Sequence, residues 1–234
     1  MAMTAADLAS RRRVRVRQCV GYGCLGVYGL ARLLASVHPW HPRDWLLENL
    51  LVFLSLPCLI WLQRGRAWGI GTNAALLAFF LLHSIGAHYT YAQVPYRQLA
   101  HALFQLPLDP ADTVGRNHYD RLVHFMYGLL VQPAVRTLLR AIPMKAWIRE
   151  LACIQCIVAT SALYELIEWA AVLIAAPDLG AAYLGTQGDV WDAHKDMLLA
   201  LIGACLNSAL YLGGRMVQAR TAGRRRHAPP KDLP

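Results

Sequence analysis

Apolar residues along this chain gather into six long runs, at roughly 18–37, 46–63, 68–90, 119–141, 148–176 and 191–214. Charge and proline concentrate in the stretches between them. A helix needs about 20 mostly apolar residues to cross a bilayer core. The pattern therefore predicts an all-α polytopic membrane protein, a bundle of about six transmembrane helices. The fifth run exceeds the length of one span and predicts a tilted or projecting helix. A basic N-terminal segment, 1–17, precedes the membrane domain, 18–214, and a basic flexible tail, 215–234, follows it. Between the third and fourth runs, the stretch from Val94 to Phe104 predicts a short helix lying on the membrane surface. The connection 91–117 is the most elaborate loop and a candidate lid.

Composition agrees. Hydrophobic residues make up 56% of the chain and charged ones 16%, too little charge for the surface of a soluble domain of this length. The first run begins after a basic stretch, as a secretory signal does. It is about twice as long as a signal core, however, and ends in His38-Pro39-Trp40-His41-Pro42, an interfacial turn rather than a cleavage site.

The basic residues set orientation. Arg11, Arg12, Arg13, Arg15 and Arg17 precede the first run. Arg64 and Arg66 separate the second and third, and Arg136, Arg140, Lys145 and Arg149 flank the turn between the fourth and fifth. Arg215, Arg220, Arg224, Arg225, Arg226 and Lys231 follow the last. With alternating helices all of these share one side, which the positive-inside rule makes cytoplasmic, together with both termini. The net charge of +9 is thereby matched to anionic lipid headgroups, and no nucleic-acid partner is implied. Cys19, Cys24, Cys58, Cys153, Cys156 and Cys205 all fall in the runs. A single C-x-x-C cannot complete a zinc site, so they read as small packing residues.

Acidic residues crowd the other side. Only Asp7, Glu150 and Asp232 belong with the basic loops. Asp120, Glu165, Glu168, Asp189, Asp192 and Asp196 lie at or within the last three runs, where a carboxylate is costly and needs a partner or a use. Asp120 and His124, four apart, share a helix face that continues to Tyr127 and Gly128. Asp192 and Asp196 share another, extended by Gly203 and Asn207. Glu165 and Glu168 are three apart on the helix between. Asp189 reads as a cap for the last helix, Lys195 as a neutralising shoulder charge, and His194 points away from the group. At a rise of about 1.5 Å per residue, all these acids reach similar heights in the outer half, with His83, His88 and Glu48 near the same level. Trp40, Trp45, Trp169 and Trp191 read as interfacial anchors. The inner halves of the last three spans offer only Gln155, Thr160, Ser161, Asn207 and Ser208, an almost purely apolar interior.

Carboxylates crowded in a low-dielectric site must protonate or find a cation. Asp120, His124, Glu165, Glu168, Asp192 and Asp196 are therefore candidate ligands for a divalent metal. Mixed carboxylate and imidazole donors suit Zn, Mn or Fe, and Mg or Ca if oxygen dominates. His83, His88, Glu48 and Asp189 are secondary candidates. Glu165, Asp192 and His124 are the candidate catalytic groups, Glu165 or Asp192 as base or ligand and His124 as ligand or proton donor.

Four stretches here resemble the bacterial inner-membrane family typified by YjdF, a multi-pass domain of unknown function. They are Gly86-Ala87-His88-Tyr89-Thr90-Tyr91 with Val94-Pro95, His118 to Phe125, Tyr164 to Trp169, and Leu184-Gly185-Thr186-Gln187-Gly188-Asp189-Val190-Trp191-Asp192 continuing through Asp196-Met197. The last is the most specific. The final three helices are also similar, at the level of pattern, to VanZ-like proteins. The resemblance implies an inner-membrane multi-pass protein and supports the acidic site, and it brings no reaction with it.

Three functions remain open. One is an enzyme acting at the outer leaflet on a lipid or lipid-linked envelope precursor. Another is a transporter, although titratable groups are lacking below the acidic cluster and no inverted repeat is evident. The third is a non-catalytic membrane factor in which Arg116, Arg121 and Lys195 neutralise the acids. Oligomeric state is not encoded in any motif.

Overall fold

The structure, a computed structural model, describes residues 4–64, 68–105, 115–175 and 187–226. Among these, every element of secondary structure is helical. Helix α1 spans Ala5–Ala35, α2 Pro42–Glu48, α3 Leu50–Arg64, α4 Ile70–His88 and α5 Tyr96–Phe104. Then come α6, Tyr119–Leu139, α7, Ala146–Ala175, and α8, Asp192–Arg226.

Five stretches are long and apolar enough to cross a membrane: Trp45–Gln63, Ile70–His88, Tyr119–Leu139, Ala146–Ala170 and Asp192–Ala222. The first of these joins α2 and α3 across Asn49, whose side-chain Nδ2 donates to Trp45 O at 2.5 Å and bridges the break. Helix α1 is long enough but not apolar enough by the same measure, because Gly21, Gly23, Gly26, Gly29 and Arg32 dilute it. It nonetheless packs along α4, with Tyr28 buried against Phe80. The protein is thus a polytopic helical membrane bundle, and the first run is its least hydrophobic member.

Both ends of the chain are more helical than the charge pattern suggests. Helix α1 starts among the basic residues on a capping box, in which Asp7 N donates to Thr4 Oγ1 and Thr4 N to Asp7 Oδ2, each at 3.2 Å. Helix α8 runs past the expected boundary at 214 to Arg226, so the first part of the supposed flexible tail is ordered. Arg, Met, Gln and Ala favour the helix there, and cations suit a helix C-terminus. Residues 227–234 lie outside the described set. The surface helix appears as α5, which buries no side chain and exposes Leu99, Leu103 and Phe104.

Helix α6 is the hub, touching α4, α7 and α8. It meets α8 backbone to backbone. A Cβ on Gly128 would lie 2.0 Å from Ala200 O, and one on Gly203 would lie 2.1 Å from Phe125 O. Only glycine permits that approach, the small-residue packing that membrane helices use. Ala200, Ala204 and Ile157 complete a dry seam between α6, α7 and α8. All cysteines are free, consistent with packing residues.

The helix ends define two faces of the bundle. The starts of α1, α4 and α7 lie with the ends of α3, α6 and α8 at the basic end. The starts of α2, α6 and α8 lie with the ends of α1, α4 and α7 at the acidic end.

Candidate metal site at the acidic end

Helices α6, α7 and α8 bring their acids to one level. Asp120 and His124 are a turn apart on α6, and Nε2 of His124 lies 3.6 Å from Asp120 Oδ1. Glu165 arrives from α7, its Oε1 also 3.6 Å from that nitrogen. Asp196, in the second turn of α8, completes the group. Asp120, His124 and Asp196 each offer a ligand atom, and the three atoms lie within 4.8 Å of one another. Two donors about 2.1 Å from one tetrahedral ion stand about 3.4 Å apart, so modest side-chain rotations would close the set on a cation. The close approaches at Gly128 and Gly203 begin about one turn deeper and hold α6 and α8 close enough for this.

The electrostatics of the group are unbalanced. Asp196 is 2% exposed, and its Oδ1 and the Oε1 of Glu165 are buried without any hydrogen-bond partner. Among the described residues no lysine or arginine forms an ion pair with Asp120, Glu165 or Asp196. A buried polar atom left bare costs about 1–3 kcal/mol, and more when charged. Carboxylate and imidazole donors at this spacing could hold a divalent cation.

Asp192 behaves differently. Its carboxylate is taken by the Arg116 guanidinium, with Arg121 Nη2 at 3.4 Å. Asp189 lies before α8 and not in it. Its Oδ1 accepts from Trp191 N at 3.1 Å, and its Oδ2 accepts from Lys195 at 2.5 Å and Arg121 at 2.6 Å. The Lys195 hydrogen bond, then the Trp191 amide, hold this carboxyl down at about 2. Lys195 is therefore the neutralising charge expected of it, and His194 is exposed against Trp191. The ion pairs belong to a ceiling over the site. Gln187 and Asn117 exchange hydrogen bonds through Oε1 and Nε2 at 2.8 and 3.0 Å. Asn117 Nδ2 donates to Val94 O at 3.0 Å, and Arg97 Nη2 to Arg116 O at 2.8 Å. Burial, then Arg121 and Arg116, hold the His118 imidazole below its usual range. Residues 106–114 of the candidate lid and 176–186, including Leu184-Gly185-Thr186, lie outside the described set.

Glu168 does not join His124. It lies within hydrogen-bonding reach of the Tyr164 hydroxyl, which also donates to Glu48 Oε2 at 3.4 Å. The six primary candidates thus divide into a bare group (Asp120, His124, Glu165, Asp196), an arginine-paired residue (Asp192) and a neighbouring acid pair (Glu168 with Glu48). Of the secondary histidines, His83 Nδ1 is bound by Tyr91 Oη at 2.5 Å. His88 Nδ1 lies 2.9 Å from Ala35 O, a latch between α4 and α1.

The basic half of the bundle departs most from expectation. It is not purely apolar. Arg136 makes a two-pronged pair with Glu150, Nε to Oε1 at 2.7 Å and Nη2 to Oε2 at 2.6 Å. Arg136 also donates to Asn207 Oδ1 at 2.6 Å, Ser208 donates to Glu150 Oε2 at 2.9 Å, and Gln132 donates to Ser208 at 2.6 Å. The Tyr211 ring lies 4.1 Å from the guanidinium. Arg136 and Glu150 stand near helix ends and read as loop charges in sequence; here they turn inward and tie α6, α7 and α8 together. The Gly128–Ala200 and Gly203–Phe125 contacts lie between this knot and the acidic site along the α6–α8 seam, and among the described residues no hydrogen bond links the knot to Asp120, His124, Glu165 or Asp196.

A family profile described as "Predicted membrane protein (DUF2238)" matches residues 21–216. The chain is 36% identical over 177 residues to the inner membrane protein YjdF of Escherichia coli strain K12, which covers 72% of this chain and 77% of that one. No solved structure matches.

Proposed function

We propose that this chain, which belongs to the DUF2238 family of predicted membrane proteins, is a metal-dependent enzyme of the bacterial inner membrane. It acts at the periplasmic headgroup level on a lipid or lipid-linked envelope precursor. The location rests on its E. coli relative, an inner membrane protein. The one-sided basic residues support an orientation with both termini in the cytoplasm.

The observation that carries the reading is the bare, buried pair of oxygens, Asp196 Oδ1 and Glu165 Oε1, beside His124 and Asp120. Asp120, His124 and Asp196 would hold the ion. Glu165, coming from a third helix, would be the fourth ligand or the base that takes a proton from the attacking group. A divalent ion there supplies Lewis-acid polarisation and a more acidic bound water. Asp192, engaged by Arg116, positions the start of α8 and is not a ligand. Transport is disfavoured because the glycine seam separates the acidic site from the basic-end knot. A purely structural cluster is disfavoured because, among the described residues, no lysine or arginine pairs with Asp196 or Glu165 as they do with Asp189 and Asp192.

Complementation of a chromosomal deletion tests this. His124→Ala, Asp196→Asn and Glu165→Gln, inserted into the membrane at wild-type levels, each leave the deletion phenotype uncorrected. Full rescue by all three would remove the enzyme reading.

A further inference from the structure

Beyond the metal site, a second group of bare polar atoms lies at the acidic end between α1, α2, α3 and α4. Arg32 is its centre. Both Nη atoms of its guanidinium are buried and have no hydrogen-bond partner. The guanidinium carbon sits 4.8 Å from the Trp45 ring centroid and 5.2 Å from that of Phe53. The two rings fix the cation's position while leaving its hydrogen-bonding edge unused. No carboxylate forms an ion pair with Arg32 among the described residues.

The neighbours are donors as well. Trp45 Nε1 and Tyr28 Oη are buried and unpartnered. His83 is 6% exposed; its Nδ1 is occupied by Tyr91 Oη at 2.5 Å, and its Nε2 is buried and bare. In the tautomer that accepts the phenol's hydrogen at Nδ1, Nε2 carries the ring hydrogen and is a donor. His83 and Tyr28 are within electrostatic reach of the guanidinium. Tyr91 is held on His83 by a turn in which Thr90 and Tyr91 have φ of 53° and 50°. That left-handed conformation is costly for residues other than glycine, above all a β-branched one. Its ring packs so closely on Gly86 that a Cβ there would meet it at 2.5 Å. Backbone strain is thus spent on placing a group that orients the imidazole.

A guanidinium buried in a low-dielectric setting without a counter-anion is unfavourable. Its planar fork matches a phosphate oxygen pair, and the indole, imidazole and phenol supply further donors. We propose that Arg32, Trp45 and His83 form a binding site for one phosphate group, carried by a phospholipid headgroup or free as inorganic phosphate. The site stands on its own observations and does not depend on the metal reading.

The test uses the full chain purified in neutral detergent. Retention of phosphatidylglycerol, or of diacylglycerol as the phosphate-free control, is read by native mass spectrometry. Wild type holds one phosphatidylglycerol per chain and no diacylglycerol. Arg32→Gln weakens retention at least tenfold, Arg32→Lys less, and Trp45→Phe severalfold. Displacement by inorganic phosphate identifies a site for the free anion, and lack of displacement identifies a headgroup site; both support the proposal. Equal retention by wild type, Arg32→Gln and Trp45→Phe overturns it, as does a wild type that binds neither phosphatidylglycerol nor inorganic phosphate. If Arg32→Gln does not fold, Trp45→Phe and the wild-type control decide. Metal content of the same samples stays at the wild-type level, so loss of lipid without loss of metal separates this site from the one proposed above.

Discussion

Gly128 lies so close to Ala200 that an added Cβ would stand 2.0 Å from the Ala200 carbonyl oxygen. The obstacle is backbone, which cannot swing aside as a side chain can. Gly128→Ala must push α6 away from α8 and is expected to cost about 1–3 kcal/mol. It should also pull Asp120 and His124 away from Asp196 and weaken metal binding. Gly213→Ala is the control: nothing lies within 4 Å of its Cβ position, and the gain in helix propensity makes it neutral or stabilising by up to about 1 kcal/mol. Thermal unfolding midpoints in detergent distinguish the two.

The Arg136–Glu150 pair is buried and doubly bonded. Removing one partner leaves the other charge uncompensated, so Arg136→Met or Glu150→Met should each cost about 3–5 kcal/mol. Replacing both removes the desolvation problem, and the double variant should lose much less than the sum of the single ones. A double-mutant cycle on unfolding free energy gives the coupling. Additive losses would mean that the two charges do not support each other.

Asp189 ties the ceiling to α8, and its carboxyl lies at about 2, below its unfolded value of 3.8. A depressed acid stabilises the fold above its unfolded value and loses that contribution as pH falls through the folded one. The ceiling contacts should therefore persist at pH 5 and weaken between about pH 4 and pH 2. Asp189→Asn should flatten that part of the midpoint-versus-pH curve. An identical acid limb in wild type and variant would assign the dependence to other groups.

Much of this architecture is legible in the sequence, because hydropathy and helical period act locally. The apolar runs mark the helices to within a few residues, apart from the extended ends of α1 and α8. The spacing of Asp120, His124 and Gly128, and of Asp196, Gly203 and Asn207, identifies two faces that do meet. Other features depend on partners distant in sequence. Glu165 and Glu168 are three residues apart, an offset of about 60° around a helix, enough to send one toward His124 and the other toward Tyr164 and Glu48. The pairing of Asp192 with Arg116 is set by the path of a loop, which has no periodicity to read. Arg136 and Glu150 lie near helix ends, where charge in sequence implies solvent; only the packing of α6, α7 and α8 reveals that they face inward and meet Ser208 and the mid-helix Gln132. Tyr91 owes its place to a strained turn at Thr90 that no propensity scale favours.

The metal content of the purified protein tests the central claim most directly. Wild type, loaded with Zn or Mn and dialysed free of excess, should retain about one ion per chain by elemental mass spectrometry, as one tetrahedral donor set requires. Asp196→Asn and His124→Ala should retain little, while Asp192→Asn, which alters a residue engaged by Arg116, should retain most of it. A wild type that retains no ion, or an Asp196→Asn variant that retains as much as wild type, would contradict the account.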